Sequence, residues 1–178
     1  MDNLSSYLLD LLQNSIQAKA SCIELSIDES DILEINIKDN GVGMNETELI
    51  QASSPFYTTR TTRKVGLGLS MIKLLTEQTE GTFELTSQKN IGTHLRLTFN
   101  HHHLDMPDFG DLGEMIYMVS IHQAVTDFVF TYQYHKEIYQ YRLLEVKEIL
   151  GSSLTTYSVM QGLIKSINNE IETMRGIK

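Results

Sequence analysis

The sequence predicts an α+β protein in which helices cover one face of a mixed β-sheet, followed by a small α-β-hairpin-α domain. Two patterns support this prediction. Apolar residues switch between helical and strand spacing along residues 1–103, in the order α-β-β-α-loop-α-β-β. An aperiodic, polar stretch at 101–111 follows, and a different order of elements begins after it. We therefore expect two domains, 1–103 and 104–178.

Local patterns define each element of the first domain. The predicted elements are a helix over 4–20, strands over 22–28 and 32–38, a short helix over 45–52, a helix over 68–80, and strands over 82–87 and 93–99. Asn45 and Glu48 have the spacing of a capping box, which predicts the start of the short helix. Gly81 follows the next helix and is expected to end it.

The second domain is rich in aromatic residues. Its predicted elements are a helix over 112–125, a hairpin over 127–141, and helices over 143–150 and 156–174, the last capped by Thr155 or Thr156. Phe128, Phe130, Tyr132 and Tyr134 alternate along the hairpin, so they share one face and are expected to pack in a core.

Composition excludes several classes of protein. The 178 residues carry 23 acidic and 14 basic side chains, a formal net charge of −9, which argues against nucleic-acid binding because phosphate backbones require clustered cations. No apolar run approaches the length of a membrane span, and the acidic N-terminus is unlike a secretory signal. The single Cys22, which we expect to be packed, fits a reducing cytoplasm.

A first polar motif lies within the first predicted helix. Asp10, Asn14 and Gln17 are spaced so that they line one face of the helix. A carboxylate and an amide oxygen one turn apart are ligands that Mg²⁺ accepts, together with phosphate oxygens. The alternative is an ordinary solvated face.

A second motif, DNGVGM, follows an apolar strand directly. Asp39 ends the strand as a hydrogen-bond acceptor, and Gly41 and Gly43 permit positive φ and close approach of the backbone to a flat ligand. The alternative is a simple Asx-Gly turn.

Two further motifs suit an anion. The loop 53–64 combines hydroxyls with three cations, and its candidate ligands for a polyphosphate are Thr58, Thr59, Arg60, Arg63 and Lys64. The segment Gly66-Leu67-Gly68 then leads into a helix, where free backbone N–H groups and the helix dipole favour a phosphate. A solvated loop is the alternative for the first of these motifs.

Together, in this order, the four motifs resemble the GHKL (Bergerat-fold) ATPase domain, over about residues 4–100. The resemblance implies that the protein binds ATP with Mg²⁺. It implies that Asn14 holds the Mg²⁺ and that Asp39 accepts a hydrogen bond from the adenine amino group. It also implies that Thr93 supports Asp39 and the adenine, through water. Gly66 and Gly68 would hold phosphates beneath the lid.

Within that superfamily, the short lid is similar to that of sensor histidine kinases, with 22 residues between Gly43 and Gly66. The sequence QNSIQAKAS within the first motif instead resembles the corresponding motif of the mismatch-repair ATPases. Asp10 stands where many relatives have Glu; it could polarise an attacking water or hydroxyl, but its shorter side chain leaves hydrolysis open. No helical hairpin with a phosphorylated histidine precedes the first motif, so we expect a chain unlike a complete sensor kinase.

The resemblance leaves three functions open. The first is a Mg-ATP-binding regulatory protein that transfers phosphate, or signals, to a partner protein through residues 104–178; its enzyme activity would be that of a histidine-kinase-like or anti-sigma-like protein kinase or a slow ATPase. The second is a nucleotide sensor without catalysis. The third is an ATP-driven dimer clamp of the mismatch-repair type, and a homodimer is possible.

Overall fold

The described part of the chain forms a six-stranded sheet covered by helices. A computed structural model describes residues 3–52 and 68–177. In chain order the elements are α1 (Leu4–Gln17), β1 (Cys22–Glu29), β2 (Leu33–Asp39), α2 (Glu46–Ala52), α3 (Gly68–Gln78), β3 (Thr82–Gln88), β4 (Gly92–Phe99), α4 (Leu112–Ser120), β5 (Asp127–Tyr134), β6 (Glu137–Arg142), α5 (Leu143–Leu150), a 3-10 helix (Gly151–Thr155) and α6 (Tyr157–Met174).

The strand order is β3-β4-β2-β1-β5-β6. All neighbours are antiparallel except β1 and β5, which are parallel. Buried and more exposed side chains alternate along β1, β2 and β5, as expected for a sheet with one covered face. The predicted α+β class with a mixed sheet is confirmed.

One hydrophobic core lies between the sheet and the helices. Leu4, Leu8, Leu11 and Leu12 of α1 recur at helical spacing and are almost fully buried. They join strand residues such as Ile27, and side chains of α3, α4 and α6 such as Ile72, Ile116 and Ile167, in one cluster. The helical and strand periodicities of the sequence therefore converge on the same interior.

The C-terminal hairpin extends the sheet. β5 pairs with β1 along its whole length, from Cys22 opposite Asp127 to Glu29 opposite Tyr134. The sheet and the core are thus continuous across the expected boundary between residues 103 and 104, because the aromatic face of β5 completes the buried surface beside β1. Whether 1–103 and 104–178 fold as separate domains stays a prediction.

Helix termini follow the sequence with small differences. The capping box of α2 is confirmed, since Asn45 Oδ1 accepts from the Glu48 N–H and Glu48 Oε2 accepts from the Asn45 N–H, both at 2.9 Å. Gly81 follows α3 as expected, and its N–H donates to the Thr76 carbonyl at 2.7 Å. The left-handed residue there is Glu80, with φ of 57°.

Two predicted helices are too long by three or more residues. α1 ends three residues early, because Lys19 adopts a left-handed conformation with φ of 63°. α4 ends at Ser120, since the chain then turns into β5. Thr156 is the N-cap residue of α6, but its hydroxyl donates to the Ser153 carbonyl and not to the helix.

Candidate functional site

The site begins as a row of three polar residues on the covered face of the sheet. Asp39 of β2 lies opposite Thr93 of β4, which lies opposite Ser87 of β3. Residues directly opposite one another point to the same side of a sheet, so the three side chains are neighbours. The next row, Leu85, Leu95 and Ile37, is aliphatic, and the polar row therefore marks the end of the apolar interior.

The Asp39 carboxylate has a fixed orientation. Its Oδ2 accepts a hydrogen bond from Ser15 Oγ at 2.7 Å, and its Oδ1 accepts from the Gly41 N–H at 2.9 Å. Ser15 is 5% exposed, so its hydroxyl approaches from the interior side of α1. Each carboxylate oxygen keeps a lone pair for a further donor.

The second polar centre of the row is Thr93, which is held by Ser87. The two hydroxyl oxygens are 3.0 Å apart. Ser87 Oγ also donates to the Gly92 carbonyl and accepts from the Met44 N–H, each at 2.9 Å. Ser87 thus joins the hairpin of β3 and β4 to the turn that follows Asp39.

A cavity of about 210 Å³ opens beside this row. Its polar lining comes from Asn14, Ser15, Asp39 and Thr93. The remainder is backbone or apolar side chain, from Leu11, Ala18, Ile37, Val42, Gly43, Met44, Leu69, Leu85 and Leu95. An apolar slot with a few acceptors at one end suits a flat ring that carries a donor on its edge.

The glycines of DNGVGM allow close packing of the backbone. Gly43 has φ of 58°, and a Cβ there would collide with the Gln88 carbonyl. A Cβ on Gly41 would lie 2.7 Å from the Ala18 carbonyl oxygen. Gly41 has no positive φ. In the described structure the closest neighbour of each glycine is therefore a backbone carbonyl oxygen, and this packing fixes the turn that forms one wall of the cavity.

The first and fourth motifs meet beyond the cavity. A Cβ on Gly68, the first residue of α3, would collide with Asp10 Oδ2. Asp10 lies one helical turn before Asn14, which lines the cavity. Gln17 is exposed and is not among the described residues that line the cavity.

The predicted site residues therefore divide into two groups. The structure brings Asn14, Asp39, Gly43 and Thr93 around one cavity, Gly41 against Asp39, and Asp10 against Gly68. The predicted ligands of the lid and the first two residues of the fourth motif lie outside the described residues; they are Thr58, Thr59, Arg60, Arg63, Lys64, Gly66 and Leu67.

Comparison with known families agrees with this geometry. Residues 2–103 match the family described as histidine kinase-, DNA gyrase B-, and HSP90-like ATPase. The chain belongs to this ATPase family. The matched range holds every residue of the cavity lining, so the cavity lies within the ATPase-like part of the chain.

The curated relatives of this ATPase-like chain include sensor kinases. It is 33% identical over 91 residues to a probable C4-dicarboxylate sensor kinase of Halalkalibacterium halodurans, covering 47% of this chain and 17% of that protein. It is 32% identical over 99 residues to the sensor histidine kinase ZraS of Escherichia coli K12, covering 54% and 21%. The chain thus matches about a fifth or less of the length of these kinases.

A solved structure shares the fold over a longer stretch. The crystal structure of the N-terminal domain of a DNA repair protein aligns with a TM-score of 0.53 and 16% identity, covering 79% of this chain and 52% of that one. At this identity the likeness concerns the fold alone.

Two serines of the site were not predicted from the sequence. Ser15 follows Asn14 but points to Asp39, which is distant in sequence, and Ser87 lies in a strand without a motif. The prediction that Cys22 is packed is wrong, because Cys22 is exposed. It shares strand parity with the exposed Glu24, and this spacing could have revealed its position.

Residues 3–52 and 68–177 hold neither a cluster of metal-binding side chains nor a helix that could span a membrane. No cluster of three or more His, Cys, Asp or Glu side chains there could hold a metal ion. No helix in those ranges is long and apolar enough to cross a membrane.

Proposed function

We infer that the protein binds ATP in the cavity beside Asp39, with the adenine in the apolar slot. The observation that carries this proposal is the Asp39 carboxylate, which Ser15 and Gly41 orient at the end of that slot. The adenine ring has apolar faces, and its 6-amino group is the donor that such a carboxylate requires. Membership of the ATPase family supports the same ligand.

The triphosphate would extend from the slot towards Asn14 and the start of α3. Asn14 lies at the cavity wall, and Gly68 opens α3 next to Asp10. A helix N-terminus favours phosphate because its free N–H groups and its dipole attract anions. Arg60, Arg63 and Lys64 are proposed to add positive charge from the lid.

The residues present fit a Mg²⁺ ion. Asn14 supplies a hard amide oxygen of the kind that Mg²⁺ prefers, and the Asp10 carboxylate one helical turn away could accept a hydrogen bond from one of the waters that Mg²⁺ retains. When bound, Mg²⁺ would neutralise phosphate charge. Asn14 is the proposed Mg²⁺ ligand, and Asp10 is the proposed base that accepts a proton from the attacking hydroxyl or water.

The protein is proposed to act on a partner protein. The related sensor kinases support phosphoryl transfer as the reaction, and residues 104–178 are the proposed surface for the partner. ATP-dependent signalling without transfer is the second candidate. A chain of hydrogen bonds between the site and the C-terminal part favours this second candidate. Asn40 Oδ1 accepts from the Ser21 N–H at 2.9 Å. The Ser21 carbonyl in turn accepts from the Thr126 and Asp127 N–H groups. The link joins the residue after Asp39 to the start of β5.

A labelling experiment tests these proposals. The purified protein is incubated with γ-labelled ATP and Mg²⁺, alone and with an extract of its source cells, and ATP affinity is measured by calorimetry. We expect Asp39→Asn and Asn14→Ala to lose ATP affinity at least tenfold, whereas Gln17→Ala, an exposed change on the same helix, keeps it. Label on a second protein supports a kinase, and binding without label or free phosphate supports a sensor. Wild-type protein that does not bind ATP would refute the proposal.

A further inference from the structure

Ser87 controls the direction of hydrogen bonds at the polar end of the cavity. A serine hydroxyl has one proton to donate and two lone pairs to accept. Ser87 uses its proton on the Gly92 carbonyl oxygen, 2.9 Å away. One lone pair accepts from the Met44 N–H, also at 2.9 Å. The remaining lone pair faces Thr93 Oγ1 at 3.0 Å.

This arrangement assigns the proton of the Thr93 hydroxyl. Either hydroxyl could donate in the contact between them, but the Gly92 carbonyl can only accept. With the Ser87 proton assigned to that carbonyl, Thr93 is the donor between the two hydroxyls. Thr93 Oγ1 then offers only lone pairs to the cavity that it lines. Asp39, the opposite residue on β2, is also an acceptor, with both oxygens already oriented by donors of the protein.

We propose that Ser87 is a specificity-determining residue, which makes Thr93 an acceptor and so leads the cavity to select a base with a 6-amino group over one with a 6-oxo group. Ser87 acts through Thr93, because it is not among the described residues that line the cavity. The inference rests on the proposed ATP binding. A 6-oxo oxygen would face acceptors from Asp39 and Thr93, and such a contact leaves polar groups unpaired.

The test compares ATP with inosine triphosphate, which carries the 6-oxo group. The dissociation constants of both nucleotides are measured by calorimetry with Mg²⁺ for the wild type and for Ser87→Ala. Removing the Ser87 hydroxyl frees the proton of Thr93, which can then donate to a 6-oxo oxygen. We expect the preference for ATP over inosine triphosphate to fall about tenfold in Ser87→Ala, equivalent to one good hydrogen bond.

Three further variants sharpen the test. Ser87→Thr keeps a hydroxyl and should restore the wild-type preference. Thr86→Ala removes the neighbouring hydroxyl of β3, which lies on the exposed face and donates to the His94 carbonyl, and should leave the preference unchanged. Ser87→Cys, a weak hydrogen-bonding replacement of similar shape, replaces Ser87→Ala if thermal unfolding shows that the alanine variant does not fold.

The possible results distinguish a failure of the role proposed for Ser87 from a failure of the proposed ATP binding. If Ser87→Ala weakens both nucleotides equally, Ser87 has only a structural role and the inference is overturned. If the wild type binds ATP but does not prefer it to inosine triphosphate, the inference also fails while ATP binding stands. If the wild type binds neither nucleotide, the proposed function itself fails, and the inference fails with it.

Discussion

An ion pair between the end of the last helix and the first strand allows the fold to be tested through its stability. Arg175 follows α6 and pairs with Glu29 at the end of β1, with Nε 3.0 Å from Oε2 and a terminal nitrogen 3.2 Å from Oε1. The Tyr132 hydroxyl donates to the same carboxylate, and the guanidinium lies over the Phe109 ring at 4.6 Å. Burial, and then the bond to Glu29, raise the pKa of Tyr132 well above its ordinary value.

We expect Arg175→Met to lower the free energy of unfolding by about 2–3 kcal/mol. Removing one partner of a buried ion pair costs about 3–5 kcal/mol, because the other charge stays buried and unpaired. A loss at or just below the lower end of that range is expected here, since Glu29 keeps the Tyr132 hydroxyl and the Arg175 side chain is 26% exposed. Methionine retains the apolar stem, so the loss reports mainly on the charge.

Urea unfolding followed by circular dichroism measures this difference. The control is Arg142→Met, whose pair with Glu145 is exposed on both sides and should contribute about 0.5 kcal/mol or less. The double variant Glu29→Gln with Arg175→Met should lose less than the sum of the single changes, because the buried charge is gone. A loss below about 0.5 kcal/mol in Arg175→Met would refute the reasoning, since it would fall within the range of a surface pair.

Three other predictions concern the site and the open face of the sheet. Ser15→Ala should weaken ATP binding about tenfold in calorimetry by releasing Asp39, and an unchanged affinity would contradict that role. Gly43→Ala should lower stability by more than about 1 kcal/mol in urea unfolding, because alanine at this positive φ also collides with backbone; a neutral result would contradict the described turn. Burial, followed by the charge of Lys38, lowers the pKa of His94, so the unfolded chain binds its proton more readily. The free energy of unfolding should therefore fall as the pH drops through 6.5 towards 5.5, and His94→Gln should fall less over the same interval.

Local patterns predict most of the elements but not the order of the strands. The alternation in 22–28 and 32–38 and the capping box of α2 depend on neighbouring residues, and each appears in the structure. The parallel pairing of β1 with β5 joins residues more than a hundred positions apart, from Cys22 with Asp127 onward. No periodicity within either strand encodes its partner, which explains why the sequence suggested a separate domain.

The candidate site shows the same division. Asp39 and Asn14 stand in motifs with recognisable chemistry, and both line the cavity. The contributions of Ser15 and Ser87 arise only when α1 and β3 pack next to β2 and β4, so spacing along the chain could not identify them. Motifs thus locate the groups that would touch a ligand, whereas the groups that orient them depend on tertiary packing.

The central position of β1 matters for anyone who isolates the ATPase-like region. The family match ends at residue 103, but β1 has its second neighbour in β5, which begins at Asp127. A fragment cut at the end of the match would leave one side of β1 with unpaired backbone groups, and such an edge recruits other chains and promotes aggregation. A fragment expressed for biochemical work should therefore extend beyond the family match and include β5.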